Sequence, residues 1–197
     1  GEILPINPTR EEVQGLRAWP SLQAVGHRVD LAIIALPAAQ VDAALDDAVA
    51  AGTRHLVIFS AGFAETGAEG EARQRRIMAR ARHHGIRVLG PNCLGFMNAA
   101  ASVYATFSPV VSTGLAPRGP VGIVTQSGAF GAYAYGMARE RNVGLSTWVA
   151  TGNEGDVDVA ECIAWMARDP ATRVIMAYME GCHDGARLRQ ALGLARA

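Results

Sequence analysis

Gly90-Pro91-Asn92-Cys93-Leu94-Gly95 follows directly on the apolar run 86–89, and Thr125-Gln126-Ser127-Gly128-Ala129 follows directly on the apolar run 121–124. Each is a short apolar strand that breaks into glycine and small polar residues, which leave backbone N–H groups uncovered. The second stretch also opens a helix. Open α/β sheets hold their ligands at the carboxyl ends of their strands. A helix N-terminus favours an anion by its dipole and its unpaired donors. The two stretches together predict a parallel sheet that grips a phosphorylated or carboxylated molecule, and they point toward its transfer.

Outward from these junctions, β-rich runs alternate with helical segments, the pattern of a parallel sheet with helices on its faces. Strands are predicted over 4–6, 29–36, 55–59, 86–89, 121–124, 145–149 and 173–179, and helices over 38–51, 70–84, 128–141, 157–168 and 185–195. Val41, Leu45 and Val49 share one helix face, and Gly52 and Gly85 stand where C-terminal caps belong. Between Asn98 and Pro120 the pattern breaks on Ser, Thr, Gly and three prolines, Pro109, Pro117 and Pro120. A boundary near Arg118-Gly119 divides the chain into units 1–118 and 119–197, each incomplete as a doubly wound sheet.

The 197 residues, half of them hydrophobic, suffice for a sizeable core, and the zero formal net charge argues against nucleic acid or an anionic membrane as main partner. No apolar run approaches the roughly 18–20 residues a bilayer requires. The chain begins Gly1-Glu2-Ile3, without Met or a signal-peptide pattern, and reads as the middle of a longer protein. Cys93, Cys162 and Cys182 lack zinc spacing and cannot all pair with one another, which suits a reduced, cytoplasmic setting. All 18 basic residues are arginine. Base composition of the genome is the plain cause, but phosphate contacts must then come from Arg, backbone amides or hydroxyls, with no Walker or Schiff-base lysine.

Three stretches of the first unit resemble the CoA-binding domain of NDP-forming acyl-CoA synthetases: Pro5-Ile6-Asn7-Pro8, Ser60-Ala61-Gly62-Phe63-Ala64-Glu65-Thr66-Gly67, and Gly85-Ile86-Arg87-Val88-Leu89-Gly90-Pro91-Asn92-Cys93-Leu94-Gly95. Gly122-Ile123-Val124-Thr125-Gln126-Ser127-Gly128-Ala129, Gly152-Asn153-Glu154-Gly155-Asp156-Val157-Asp158 and Tyr178-Met179-Glu180-Gly181-Cys182-His183-Asp184-Gly185 resemble that family's flavodoxin-like ligase domain. The likeness runs through nearly the whole chain in order. It is to ADP-forming acetate–CoA ligases and, more distantly, to the α subunit of succinyl-CoA synthetase. It implies a Rossmann-like CoA-binding domain followed by a flavodoxin-like domain, both truncated. It also implies a ligase reaction in which acyl-CoA, phosphate and a nucleoside diphosphate interconvert with a carboxylic acid, CoA and a nucleoside triphosphate. Acyl phosphate and phosphohistidine are the implied intermediates. ATP or ADP, with Mg, would bind an ATP-grasp domain or subunit outside this chain, in a homo- or hetero-oligomer. The family's opening strand and glycine-rich loop should precede Gly1, and its Ser-His-Thr-Gly histidine should follow Ala197.

Each site residue carries a plainer reading beside the one the resemblance implies. Asn7 and Pro8 form a proline-bounded turn; by resemblance they lie at the CoA adenosine, with Arg10 at the CoA phosphate. Ser60, Ala61 and Gly62 form a strand-to-helix turn; by resemblance they border the pantetheine arm, while Phe63 reads as core. Asn92 and Cys93 are turn residues; by resemblance they neighbour the thiol and acyl group. Cys93 reads as a neutral packing residue, because no His or Asp stands in support. Ser127 is a natural N-cap. By resemblance Gln126, Ser127 and Gly128 face a phosphate, whereas a serine nucleophile elbow fails because Thr125 and Ala129 replace its glycines. Asp156 reads as the cap of the helix after it, and the carboxylate spacing of 152–156 is not that of an EF-hand. Glu180 ends an apolar strand, where a buried carboxylate is costly unless paired. By resemblance it orients the phosphorylated histidine, a role carboxylates hold toward imidazole generally. None of the five histidines has the phosphohistidine context, and His183 reads as a loop residue. Two other readings stand beside the ligase: a CoA or acyl-CoA sensor, for example on a protein acetyltransferase, and an interaction module without ligand.

Overall fold

The computed structural model describes residues 1–196. In chain order the elements are β1 (Glu12–Val13), β2 (Leu16–Arg17), β3 (Ala32–Ile34), α1 (Val41–Ala50), β4 (His55–Ile58), α2 (Ala68–His83), β5 (Arg87–Leu89), β6 (Gly95–Asn98) and β7 (Val103–Thr106). There follow β8 (Arg118–Thr125), α3 (Gly128–Glu140), β9 (Leu145–Ala150), α4 (Val159–Met166), β10 (Val174–Tyr178) and α5 (Gly185–Arg196). The first unit holds a parallel sheet in the order β3-β4-β5. The second holds a sheet in the order β10-β8-β9-β6-β7, parallel from β10 to β9 and antiparallel beyond. This is the α/β architecture that the alternating pattern predicts.

Alternation of side chains along the strands builds three cores. Ile34, Leu56, Ile58 and Val88 of the first sheet meet Val41, Leu45 and Ala48 of α1 and Ile77, Met78 and Ala81 of α2. The buried face of α1 is thus the predicted one, with Ala48 in place of the half-buried Val49. Val57, Leu89 and Cys93, on the other side of that sheet, join Val124, Val149, Val159, Cys162, Ile163 and Met166 in a core that belongs to both units. The second sheet's remaining face carries α3, where Tyr135, Ala134 and Ala138 pack on Ile123, Leu145 and the fully buried Trp148. An ion-pair network bridges the units at their edge: Arg87 donates to Asp156 and Glu161, and Arg187 donates to Asp158 and Glu161.

Several elements differ from the sequence-based expectation. The run 4–6 joins no sheet; Ile6 makes a single parallel bridge to Trp19. A small hairpin, β1–β2, turns through Gln14 and Gly15, both with positive φ. The hairpin β6–β7, unpredicted, runs into the stretch 98–120 where the pattern breaks. A division at 118/119 leaves that hairpin with the first unit; its hydrogen bonds run to β9, in register Gly95 with Ala150 and Asn98 with Thr147, and it extends the second sheet. The cap of α4 is Asp158, whose Oδ1 accepts from Glu161 N at 2.7 Å, and not Asp156. Asp156 instead accepts from Val88 N and Arg87 Nε, both at 2.9 Å, and ties the loop to β5. Because β10 is the edge of its sheet it is largely exposed, and Glu180 beyond it is exposed too, not at the end of a buried strand.

Candidate functional site

The carboxyl ends of β3, β4 and β5 are joined side by side. Ser60 Oγ donates to Leu36 O at 2.5 Å, and Asn92 N donates to Ser60 O at 2.9 Å. Gly62 has φ +98, open to glycine and strained for other residues, and its amide donates to Glu65 Oε1 at 2.5 Å. Phe63 is fully buried, as its reading as core requires. Partial desolvation would raise the Glu65 carboxyl, but donors from Asn153, Gly62 and Phe63 outweigh it and hold the group below its ordinary 4.5.

The turn 90–95 begins with a cis Gly90-Pro91 bond and places Asn92 at φ +54. Cys93 is buried against the first sheet, with its Sγ 3.4 Å from Ile58 O, and burial pushes its thiol up to about 12. A thiol so placed stays neutral near pH 7 and is no nucleophile. Leu94, the next residue, reaches the start of α3: a methyl placed on Gly128 would stand 2.9 Å from Leu94 Cγ. The turn thus touches Ser60 on one side and the N-terminus of α3 on the other.

At that N-terminus Ser127 is extended, and its Oγ accepts from Phe130 N at 3.3 Å. Ser127 O accepts the first intrahelical bond from Gly131 N, so the amides of Gly128 and Ala129 precede the helix ladder and face outward from its positive end. Gln126 is turned the other way. Its Nε2 donates to Glu154 Oε2 and to Gly181 O, and its Oε1 accepts from Glu180 N and Gly181 N. Glu180 is thereby drawn beside the same helix start. Among the described residues its carboxylate has no hydrogen-bond or ion-pair partner.

The loop 152–155 closes this junction from the second unit. Asn153 N donates to Pro91 O and Gly155 N donates to Gly90 O. Asn92 Nδ2 donates to Asn153 Oδ1 at 3.1 Å, and Asn153 Nδ2 donates to Glu65 and Gln74. Gly152, at φ +64, lies so close that a methyl on it would stand 2.3 Å from Asn92 O. Two stretches remote in sequence, 60–65 and 90–95, therefore meet the start of α3 through one short loop. The resemblance implies that this loop closes over the phosphate site; its bonds to the turn 90–95 and to Glu65 are what the sequence did not disclose.

Asn7, Pro8 and Arg10 stand apart from this cluster. Asn7 Oδ1 accepts from the amides of Thr9 and Arg10, and Asn7 N donates to Trp19 O. Among the described residues no hydrogen bond joins this turn to Ser60 or Asn92. No group of three or more His, Cys, Asp or Glu side chains is arranged to hold a metal ion among the described residues. A cavity of about 450 Å³ opens at the amino ends of β3–β5, bounded by Leu31, His55, Val57, Phe96 and Trp165, away from the turns described above. Among the described residues no helix is long and apolar enough to cross a membrane.

Comparison with known proteins agrees with this arrangement in both halves. Residues 1–99 match a family described as a CoA binding domain, and residues 118–197 match one described as a succinyl-CoA ligase like flavodoxin domain. The chain is 37% identical over 187 residues to the α subunit of acetate–CoA ligase [ADP-forming] II of Pyrococcus furiosus, with 95% of this chain and 40% of that protein aligned. It is 35% identical over 197 residues to acetate–CoA ligase [ADP-forming] I of Archaeoglobus fulgidus, of which it covers 28%. A solved structure, dinucleotide forming acetyl-coenzyme A synthetase 1 of Ca. Korarchaeum cryptofilum in complex with phosphate and ADP, superposes with a TM-score of 0.89 at 36% identity. That superposition covers 98% of this chain and 40% of the other. The chain thus spans 40% or less of the length of each of these proteins.

Proposed function

The chain belongs to the CoA-binding-domain family of the NDP-forming acyl-CoA synthetases, and from that premise we propose that it is the acyl- and phosphate-handling part of a longer acid–CoA ligase. The ligase interconverts acyl-CoA, phosphate and NDP with carboxylic acid, CoA and NTP. The observation that carries this reading is the position of the turn 90–95. It lies against Ser60, at the sheet edge suited to CoA, and against Gly128, at the helix start suited to phosphate. A thioester carbonyl and a phosphate oxygen can react only when held together, and positioning of this kind supplies much of a phosphoryl- or acyl-transfer rate.

The residues divide the work. The open strand ends at Ser60, Ala61, Gly62 and Asn92 would line CoA, with Cys93 as an inert wall. Asn7, Pro8 and Arg10 are proposed for the CoA adenosine and phosphate side. CoA, when bound, supplies the thiol that carries the acyl group. The first-turn amides of α3 at Gly128 and Ala129 hold the anion, and Ser127 fixes the helix start. The unpartnered carboxylate of Glu180 is suited to hold the ring N–H of an imidazole brought in from outside this chain, and so to orient it for phosphorylation on its other nitrogen. The described residues offer Mg no ready cluster of ligands, and none of their roles is assigned to it.

Calorimetric titration of CoA into the longer protein should show binding. The same protein should form NTP from acyl-CoA only when both phosphate and NDP are present. A protein that binds no CoA and forms no NTP overturns the reading. One that binds CoA and forms no NTP supports the sensor instead.

A further inference from the structure

We propose that Gln126 is a positioning residue that sets where Glu180 stands relative to the start of α3, an inference that rests on the function proposed above. The side-chain amide of glutamine offers two donor hydrogens and two lone-pair directions. All four are used here. Nε2 donates to Glu154 Oε2 at 2.7 Å and to Gly181 O at 2.9 Å, and Oε1 accepts from Glu180 N at 2.6 Å and from Gly181 N at 2.9 Å. The network admits one orientation: a flipped amide would turn its NH₂ toward two backbone N–H groups and its oxygen toward a carboxylate. With no donor left over, Gln126 leaves the set of phosphate contacts, and Ser127 and Gly128 remain.

The clamp is needed because of where Glu180 lies. It follows β10, an edge strand, so no second neighbouring strand fixes its backbone. Phe130 stacks on the Tyr178 ring at 4.2 Å between centroids, but among side chains of the described residues the 178–181 segment is hydrogen-bonded by Gln126 alone. Its backbone N adds a bond to Tyr178 O at 3.2 Å. Gln126 is anchored in turn. Glu154 Oε1 accepts from Thr151 Oγ1 at 3.1 Å and from Val159 N at 2.7 Å, so its other oxygen is presented to Gln126 from a fixed place. Glu154 itself has φ +54, a conformation that a non-glycine residue keeps only where its surroundings enforce it. The chain of contacts therefore runs from the start of α4 through Glu154 and Gln126 to the backbone of Glu180.

The test compares Gln126→Met, which keeps the shape and loses the bonds, with Gln126→Glu and the paired exchange Gln126→Glu/Glu154→Gln. Gln126→Glu sets two carboxylates against each other. The pair restores an amide–carboxylate contact with the roles reversed and leaves an oxygen at 154 for Thr151 and Val159, but offers Gly181 O no donor, so the restoration is partial. In this chain, hydrogen exchange at the Glu180 and Gly181 amides should quicken by about ten-fold or more in both single variants and return toward wild type in the pair. In the longer protein, phosphoenzyme formation should fall by on the order of ten-fold in the single variants with KM for CoA unchanged, and should recover in part in the pair. Unchanged exchange in Gln126→Met, or a paired variant that exchanges as fast and forms phosphoenzyme as slowly as the singles, overturns the proposal. A wild-type protein that never forms phosphoenzyme overturns the function proposed above, while the exchange data still decide whether the clamp exists.

Discussion

Cys93 shows how burial decides chemistry at a single residue. It sits in the turn nearest the proposed acyl group, yet the residue is 3% exposed and its thiol is pushed up to about 12. Cys162 is buried and raised in the same way, while Cys182 is exposed. Brief treatment of the folded chain with iodoacetamide near pH 8, read by mass spectrometry, should label Cys182 and leave Cys93 and Cys162 unmodified until denaturant is added. Rapid labelling of Cys93 would make it an accessible nucleophile after all. Glu65 makes a pH-dependent contribution whose sign is fixed. Its folded value lies below the ordinary 4.5, so its donors from Asn153, Gly62 and Phe63 stabilise the fold above that pH. The contribution is lost as pH falls through the folded value. Urea midpoints measured from pH 7 down to pH 3 should decline less steeply in Glu65→Gln than in wild type; parallel curves would remove Glu65 from the acid response. At this scale local roles were legible: Ser127 reads as a cap because its partner, Phe130 N, is three residues away. Gln126 reads by resemblance as a phosphate contact, and its clamp on 180–181 is not legible, because its partners lie 28 to 55 residues further on.

Among the elements, the loop 152–155 carries the greatest consequence for its length. Gly152→Ala meets both a positive φ and the Asn92 carbonyl oxygen at 2.3 Å, and backbone on both sides cannot yield as a flexible side chain would. It should cost about 2 kcal/mol or more of stability and weaken CoA binding through the displaced turn 90–95. Equal denaturation midpoints for variant and wild type would show that the loop is not braced as described. Helix and strand positions were largely readable, because apolar residues at helical spacing and short β-rich runs report local periods. The cap of α4 was misplaced by two residues because the stretch offers two aspartates, and only the tertiary bond from Val88 N claims Asp156 for β5. The hairpin β6–β7 escaped for a similar reason: β6 is stabilised by pairing with β9, some fifty residues later, and β7 by pairing with β6, and not by a pattern of their own.

For the whole molecule, the core formed by Val57 and Leu89 with Val149, Val159, Ile163 and Met166 makes the two sheets one packed body. The sequence divides the chain near 118/119 by its prolines and glycines but is silent on this shared core, since both partners look merely buried. The proposed site follows the same rule: Ser60, Asn92, Ser127 and Glu180 stand out in the sequence at strand or helix ends, and the loop 152–156 stands out by resemblance, while the bonds that join that loop to the turn 90–95 do not. The chain holds anion and CoA sites in the proposed function but none of its histidines stands in phosphohistidine context. The isolated 197 residues should therefore form no ATP from acyl-CoA, phosphate and ADP. Turnover above background, abolished by Ser127→Ala or by replacing one of the five histidines, would relocate the chemistry to this chain. The most direct test of the central claim uses the longer protein with acyl-CoA and radioactive phosphate, followed by counting of acid-labile, base-stable label on the protein. Wild type should take up label only when both substrates are present, and Glu180→Gln should label at least about ten-fold more slowly while still binding CoA. A wild-type protein that stays unlabelled, or a Glu180→Gln variant that labels at the normal rate, would contradict the account.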